Sequence, residues 1–230
     1  SNESFINWAW KAAGGTATIN TDGTNSCVVS ANAAAGFSIV NLTKDNTNTE
    51  TFGHGLGAIP EMIILKRTAS ADDWYVYHKD LGNSTRISLN STAAKVTGTG
   101  VWGSTTPTSS VFTLQNQSGG AHTAYCFTSI ANYSSIGTYT ASGSAGSPTI
   151  TTGFPLGFVI IKNVDKNQEW ISVDSLRGLN KSLQPNSTAA EGTNGNTLST
   201  TPTSFTIEVS GGGVNYQSGD TMIYAAFKQN

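Results

Sequence analysis

The sequence predicts an all-β protein built from two tandem antiparallel β-sandwich modules of jelly-roll-like or concanavalin-like type. Three observations lead to this prediction. Short segments rich in β-branched and aromatic residues recur along the 230 residues, bounded by Gly, Pro, Asn or Asp. Signals for helices are nearly absent. The sequence also repeats itself at an offset of about 96 residues, as positions 90 and 186 show.

The repeat is clearest in one pentapeptide. Asn-Ser-Thr-Ala-Ala at residues 90–94 returns letter for letter at residues 186–190, and Trp74 returns as Trp170 at the same offset. Two further segments match at nearly this spacing: residues 62–66 with 158–162, and 105–109 with 200–204. Coincident matches in one register predict a first module at 36–131 and a second at 132–230.

Each module is predicted to consist of short strands. In the first module the segments are 37–40, 62–66, 74–77, 86–89, 111–114 and 123–127; in the second they are 136–139, 158–162, 169–173, 205–209 and 223–227. Residues 62–65 are apolar throughout, which predicts a central strand buried on both faces. Residues 205–209 alternate between apolar and polar, which predicts one buried face.

Residues 1–35 are predicted to form a closing-type strand followed by a linker. Phe5, Ile6, Trp8 and Trp10 resemble the aromatic strands that close the two modules, but no module precedes them. Either the chain is a piece of a longer protein, or this strand completes a sheet in a neighbour or in the second module. We therefore expect it to be an assembly strand. Residues 12–35 are expected to be a small-residue linker, with one strand at 27–29 and no helix.

Composition limits the classes of partner. Charged residues make up 11% of the chain and the net charge is −2, so no basic surface is expected to attract nucleic acid. The longest apolar run is too short to span a membrane, and the sequence shows no secretory signal. Two cysteines do not make a disulfide framework. Cys126 is expected to be a small buried residue, and a bridge to Cys27 stays open at this point.

The sequence offers no catalytic or metal-binding pattern, so we expect a protein that is not an enzyme and binds no cofactor or metal. His54, His78 and His122 lack ligand spacing, and no nucleophile–histidine pair or repeated pair of carboxylates is present. The glycines at residues 53–57 are not followed by a helix, so they predict a tight turn and no phosphate loop.

The tryptophans are predicted to play different parts. Trp74 and Trp170 each begin a strand just after a loop in both modules, which favours core packing over stacking on a sugar. Trp102 is flanked by glycines and by Ser and Thr, and the second module has no counterpart. We therefore predict that Trp102 is exposed and is the ligand contact.

Several longer runs resemble a known family. Residues 36–40, 53–67 and 73–78 resemble a repeat module of large, tail-fibre-like virion proteins of marine tailed phages. Residues 124–127, 133–139 and 152–162 are similar to the module that often follows it. These proteins are modular and often carry concanavalin-like lectin domains. The resemblance implies a location on the virion surface, and it supplies no catalytic or binding residues.

Taken together, the sequence predicts a structural or adhesive virion protein, a segment of a tail fibre or appendage. We expect it to assemble with other copies of itself or with other virion proteins, and to contact host-surface glycans. One alternative is a capsid decoration protein, and another is a non-catalytic carbohydrate-binding module. A hydrolase would need two carboxylates that meet across one cleft.

Overall fold

The computed structural model describes residues 6–13, 15–45, 49–98, 100–193 and 198–229. Within these ranges the chain forms β-strands and one short 3₁₀ turn, Ala33–Ala35, and no α-helix. The strands are Thr18–Asn20 (β1), Cys27–Asn32 (β2), Phe37–Lys44 (β3), Glu50–Gly53 (β4), Met62–Arg67 (β5), Trp74–His78 (β6), Thr85–Ser88 (β7), Val96–Thr97 (β8), Val111–Leu114 (β9), Gly120–Phe127 (β10), Ser134–Thr140 (β11), Thr149–Thr151 (β12), Leu156–Asn163 (β13), Ile171–Asp174 (β14), Leu198–Thr201 (β15), Ser204–Ile207 (β16) and Thr221–Lys228 (β17). The all-β prediction is confirmed.

The strands form four antiparallel sheets. The largest has the order β1-β2-β3-β10-β5-β6-β7-β8, and a second has the order β11-β17-β13-β14. We call these the first and second main sheets. Two smaller sheets, β4-β9 and β12-β16-β15, complete the set. In both main sheets the last long strand, β10 or β17, lies in the interior between two neighbours.

The sheets are stacked with apolar layers between them. One layer lies between the first main sheet and β4-β9 and contains Phe52, Phe112 and Leu114 from the small sheet. A second lies between the second main sheet and β12-β16-β15 and contains Ile150, Phe205 and Ile207. We call these two layers the outer layers of the core.

The third apolar layer joins the two main sheets, and we call it the shared layer. The first main sheet and the loops around it contribute Phe37, Met62, Val76, Ile87 and Phe127; the second contributes Ile136, Val164, Trp170, Ile223, Ala225 and Phe227. Because the two main sheets meet across this layer, each of them has apolar residues on both faces.

The interior strands show why the sheets can stack. Along β10, Ala124 and Cys126 face the outer layer while Phe127 faces the shared layer. In β5, Ile63 and Leu65 face the outer layer and Met62 faces the shared layer. Successive side chains of a strand point to opposite faces, so a strand buried on both faces must be apolar throughout. The prediction that residues 62–65 form such a strand is confirmed.

The other predicted strands are found within two residues of their expected ends, except that β3 extends to Lys44 and β10 begins at Gly120; the short strands β4, β8, β12 and β15 were not predicted. The expected linker differs. Residues 18–20 and 27–32 form β1 and β2, which extend the first main sheet beyond β3. Strand β2 was expected at 27–29, whereas β1 was not expected at all. The run of alanines forms only a 3₁₀ turn, which ends at Gly36 with φ of 64°.

The strand expected at the amino-terminal end is not found among the residues that the structure describes, and its role in assembly stays a prediction. Phe5 lies outside them, and residues 6–13 form no strand. Strand β10 already has neighbours on both sides, and so does β17, so neither offers an edge for a further strand. Instead the segment packs on its own chain. Trp10 makes edge-to-face contacts with Phe127, Phe158 and Phe227 at the end of the shared layer.

Loops beside the shared layer also join the two main sheets. The indole Nε1 of Trp170, which is 2% exposed, donates to the backbone oxygen of Ser88 at 3.0 Å. The buried Lys162 ammonium donates to the backbone oxygen of Thr92 at 3.1 Å. Both hydrogen bonds are partly buried, and a polar group left unsatisfied there would be costly. Trp170 is therefore a core residue, as predicted, and it holds the two sheets together.

Trp170 and Trp74 differ in their surroundings, and this difference predicts a difference in stability. Trp170→Phe should lower the free energy of unfolding by about 2–4 kcal/mol, because it leaves a cavity and an unpaired carbonyl. The matched substitution Trp74→Phe should cost less than about 1 kcal/mol, because Trp74 is only partly buried. Chemical denaturation of both variants measures this. Equal losses would contradict the assignment of Trp170 to the shared layer.

Candidate functional site

The titratable side chains of the described residues are spread over several loops and strands. Among the described residues no group of three or more His, Cys, Asp or Glu side chains could hold a metal ion. The three histidines lie apart. His54 Nδ1 accepts from the Leu56 N–H at 3.2 Å, so its Nε2 carries the proton and faces the Thr108 backbone oxygen at 3.2 Å. This arrangement ties His54 to the turn that precedes β5.

The same turn explains the glycines at residues 53–57. Gly55 and Gly57 have φ values of 69° and 68°, in the left-handed region where a side chain is disfavoured. The prediction of a tight turn before the central strand is confirmed. No helix starts there, so the turn has no phosphate-binding geometry.

The acidic loop residues are already paired. Asp72 forms an ion pair with Arg67 at 3.0 Å, and Asp73 accepts a hydrogen bond from the Asn90 amide at 2.9 Å. Asp165 is paired with Lys95 and accepts from the Thr221 N–H at 2.6 Å. Burial by itself raises the pKa of Asp165, but these two partners outweigh it and hold the pKa below its usual value. These carboxylates fix loops in place.

Both cysteines are free and buried. Burial raises the pKa of Cys126 far above its usual value, and it also raises the pKa of Cys27. A thiol must lose its proton to act as a nucleophile, so neither cysteine is activated. The prediction that Cys126 is a small buried residue is confirmed.

Trp102 was predicted to be exposed, and this prediction is wrong. The side chain is 1% exposed and lies in the outer layer beneath the first main sheet, with its ring edge-on to Tyr77 at 5.8 Å between centroids. Gly103, with φ of 70°, lets the chain turn at this point and direct the indole inward. The neighbouring glycines therefore indicated a tight turn, and the apolar ring is buried because of it.

The open surface of the molecule holds a shallow groove of about 850 Å³. It crosses strands β1, β2, β3 and β10 of the first main sheet. Most of its lining side chains are small or carry hydroxyl or amide groups: Asn25, Ser26, Asn41, Thr43, Thr68 and Thr123. Ile19 and Val28 add exposed apolar surface at one end, and Asp45 contributes one charge.

A row of side chains crosses the sheet at this groove. Strand register places Val28, Asn41, Thr123, Lys66 and Trp74 next to one another on five neighbouring strands. The Thr123 hydroxyl donates to Asn41 Oδ1 at 2.8 Å. This cross-strand row lies on the same face as the shared layer, and its residues are exposed or only half-buried. It therefore marks the part of that face which the second main sheet leaves open.

Trp74 ends the row with an aromatic surface. Its ring stacks against Tyr125 with centroids 6.3 Å apart and planes inclined by 19°. The Lys66 ammonium lies 5.9 Å from the centre of the same ring. An open row of amide, hydroxyl and aromatic groups can bind a neutral polar ligand through hydrogen bonds and stacking.

A smaller cavity of about 270 Å³ lies beside the amino-terminal segment. Trp8, Trp10 and Phe158 form one wall, and Leu176, which is 87% exposed, stands at its mouth. Arg177 lies over the Trp8 ring, with its guanidinium carbon 5.6 Å from the ring centre. The predicted assembly residues Ile6, Trp8 and Trp10 thus come together, but they do so against their own chain.

Core packing was predicted for Trp74, which is only half-buried, and the sequence did not predict the other residues of the cross-strand row. Residues 37–44 do contain a usable signal, because Asn41 and Thr43 alternate with the buried Val40 and Leu42. That pattern predicts a polar face on β3. It cannot predict which strands lie beside β3, so the row itself needed the structure.

The fold and the site define a class: an all-β protein of stacked antiparallel sheets, whose described part contains an open polar groove and no cluster of side chains that could hold a metal ion. The chain belongs to the family described as a domain of unknown function, DUF7483, whose model matches residues 1–230. No curated protein matches the chain, and no solved structure matches it. Within the described ranges, no helix has the length and apolar character to cross a bilayer.

His78 makes the stability of this assembly of sheets dependent on pH. The side chain is buried at the end of β6, and its Nδ1 accepts a hydrogen bond from the Asp80 N–H at 3.3 Å. Burial lowers its pKa from 6.5 to about 4, and Asp80 opposes the change only in part. Lys79 lowers the pKa further, whereas Glu61 and the backbone carbonyl of Tyr224 raise it. Burial also lowers the pKa values of His54 and His122.

The free energy of unfolding should therefore fall as the pH drops from about 7 to 4. In this window the unfolded chain binds a proton at His78 and the folded chain does not, a difference of roughly 3 kcal/mol. Urea denaturation at several pH values measures the slope. His78→Gln should flatten it, and His54→Gln serves as the matched control with a smaller effect. Parallel curves for wild type and His78→Gln would contradict the prediction.

Proposed function

We propose that the chain is a structural and adhesive module of a phage virion, a segment of a tail fibre or appendage at the virion surface. In this role it assembles with other copies or other virion proteins, contacts host-surface glycans weakly and performs no catalysis. The observation that carries the proposal is the joining of two main sheets by one shared apolar layer, with a neutral polar groove left open on the outside. The sequence resemblance to tail-fibre-like proteins supports it.

The proposal includes a duplicated architecture, with two β-sandwich modules of jelly-roll-like or concanavalin-like type. Three findings support the duplication. The order β3-β10-β5-β6 in the first main sheet parallels β11-β17-β13-β14 in the second. Each main sheet packs on a small sheet of its own. The backbone N–H of Trp74 donates to Asn90 Oδ1 at 3.0 Å, and the backbone N–H of Trp170 donates to Asn186 Oδ1 at 2.9 Å.

The stacked architecture suits a mechanical part. Strands buried on both faces cannot open without exposing two apolar layers to water. The loops that join the main sheets are held by hydrogen bonds and by the Lys95–Asp165 ion pair. A body of this kind transmits force without bending at a hinge. This property fits a fibre or appendage segment better than it fits an enzyme.

The adhesive part of the proposal rests on the groove and the cross-strand row. A neutral saccharide offers hydroxyl groups to Asn41 and Thr123, which line the groove. The groove contains few charges, so its binding should depend weakly on salt. Its shallowness predicts weak binding at a single site, which becomes useful when many copies act together. A non-catalytic carbohydrate-binding module is the second candidate function, and the same groove favours it.

Glycan binding can be tested with the whole chain. Wild type should bind at least one neutral oligosaccharide on an array, with saturation in the range of about 0.1–1 mM by calorimetry or NMR titration. Thr43→Arg should weaken this binding by at least about tenfold, because the side chain fills the groove. The exposed Ser144→Arg, in a loop of the second module, is the matched control and should bind as wild type does.

Two results would count against the proposal. Unchanged binding by Thr43→Arg would remove the groove from it, and no binding to any glycan would remove the adhesive role. Sedimentation velocity over a wide concentration range tests the structural role, for which wild type should associate as concentration rises. A chain that stays monomeric at all concentrations would contradict self-assembly.

A further inference from the structure

The two identical pentapeptides have the same local conformation. In the first, the Ala93 N–H donates to Ser91 Oγ at 3.1 Å. In the second, the Ala189 N–H donates to Ser187 Oγ at 3.0 Å. The preceding asparagines, Asn90 and Asn186, each bridge the start of a strand and an acidic side chain in the same way. Identical residues therefore present identical outward-facing backbone groups at two places on the molecule.

The first pentapeptide uses those outward groups to bind the loop after β13. The Thr92 backbone oxygen accepts from the Lys162 ammonium at 3.1 Å, and the Ala94 N–H donates to Asn167 Oδ1 at 3.0 Å. The next residue, Lys95, donates its N–H to the Val164 backbone oxygen at 2.8 Å. The pentapeptide at residues 90–94 is thus a docking element, and the Lys162–Trp170 loop is its receptor.

The second pentapeptide has no such receptor. Residues 187–190 are exposed, and no described residue contacts the Thr188 backbone oxygen or the Ala190 N–H by a hydrogen bond. By their positions in the repeated pentapeptide, these are the counterparts of the Thr92 oxygen and the Ala94 N–H. The pentapeptide at residues 186–190 is therefore an exposed second copy of a docking element. The first copy, at residues 90–94, already binds the Lys162–Trp170 loop.

The receptor loop also has an open counterpart, between β5 and β6. Lys162 donates to its own loop at the Lys166 oxygen as well as to Thr92. Lys66 likewise donates to its own loop, at the Ser70 oxygen and at Asp72, and it has no acceptor from another module. Trp74 occupies the place of Trp170, is partly exposed, and has no acceptor for its Nε1 in the described part of the chain.

We propose that the exposed pentapeptide at residues 186–190 docks on the Lys66–Trp74 loop of a second copy of this chain. The Thr188 backbone oxygen accepts from Lys66. The Gln184 backbone oxygen, which already accepts from the Ser187 N–H at 2.9 Å, accepts a second hydrogen bond from Trp74 Nε1, as the Ser88 oxygen does from Trp170. The contact is heterologous, because the two surfaces differ, so repeated docking produces an open linear array or a ring. This inference rests on the proposed structural role and assigns it a surface.

The proposed contact between chains should be weaker than the contact between residues 90–94 and the Lys162–Trp170 loop within one chain. Ala71 stands where the second module has Asn167, and Ala69 stands in place of Asp165. Glu191 replaces Lys95 and is already paired with Arg177 at 2.7 Å in its own chain. The hydrogen bonds of Lys66 and Trp74 are retained, whereas the counterparts of the Asn167 hydrogen bond and of the Lys95–Asp165 ion pair are lost. Association should therefore need high concentration or many linked copies.

Cysteine trapping tests the docking directly. Ala190→Cys and Ala71→Cys are purified separately, mixed, and exposed to a mild oxidant, so that any mixed disulfide must join two chains. Both sites are exposed, whereas the native Cys27 and Cys126 are buried and should not react. The mixed dimer should form faster than with the matched control, Ala145→Cys mixed with Ala71→Cys. An equal rate would overturn the proposal.

Sedimentation velocity separates this inference from the broader function. Ala190→Arg should lower the association constant of the chain by at least about tenfold, and Ala145→Arg should leave it unchanged. If wild type associates and Ala190→Arg associates equally well, the docking surface is wrong and the structural role stands. If wild type stays monomeric and no mixed disulfide forms, both are wrong.

Discussion

The shared apolar layer between the two main sheets is the constraint on which the rest of the structure depends. It requires strands β10, β5, β17 and β13 to be apolar on both faces, and it leaves the polar positions to the margins of each sheet. The groove exists because the second main sheet covers only part of the first. The amino-terminal tryptophans pack at the end of the same layer. Stability, the open surface and the position of residues 6–13 therefore have one cause.

Sequence patterns predicted the strands well, because a strand is encoded locally. The apolar run at 62–65 and the alternation at 205–209 each indicate a burial pattern without knowledge of the neighbours, and both patterns are found. The shared layer could not be predicted in this way. A strand buried on both faces has the same apolar sequence pattern whether its second face packs on a small sheet, on another main sheet or on another subunit. The expectation of an assembly strand at Trp8 and Trp10 arose because these residues resemble the aromatic strands β10 and β17.

The error at Trp102 has a similar origin. Glycines on both sides of an aromatic residue are typical of an exposed loop, but left-handed glycines also allow a chain to turn an aromatic ring back into the core. The burial of Trp102 removes the predicted ligand contact, and the structure offers the cross-strand row in its place. The sequence could have predicted only one part of that row, the polar face of β3 around Asn41. Strand order is set by contacts between residues far apart in sequence, so the rest of the row could not be predicted.

The bond between Lys162 and Thr92 carries a consequence for how the surface can change over time. The ammonium recognises a main-chain oxygen, so the side chain at position 92 is free to vary without loss of the bond. What must persist is the shape of the loop, which Asn90 and Ser91 fix through their own hydrogen bonds. Exposed side chains on such a loop can therefore change while the hydrogen bonds beneath them persist.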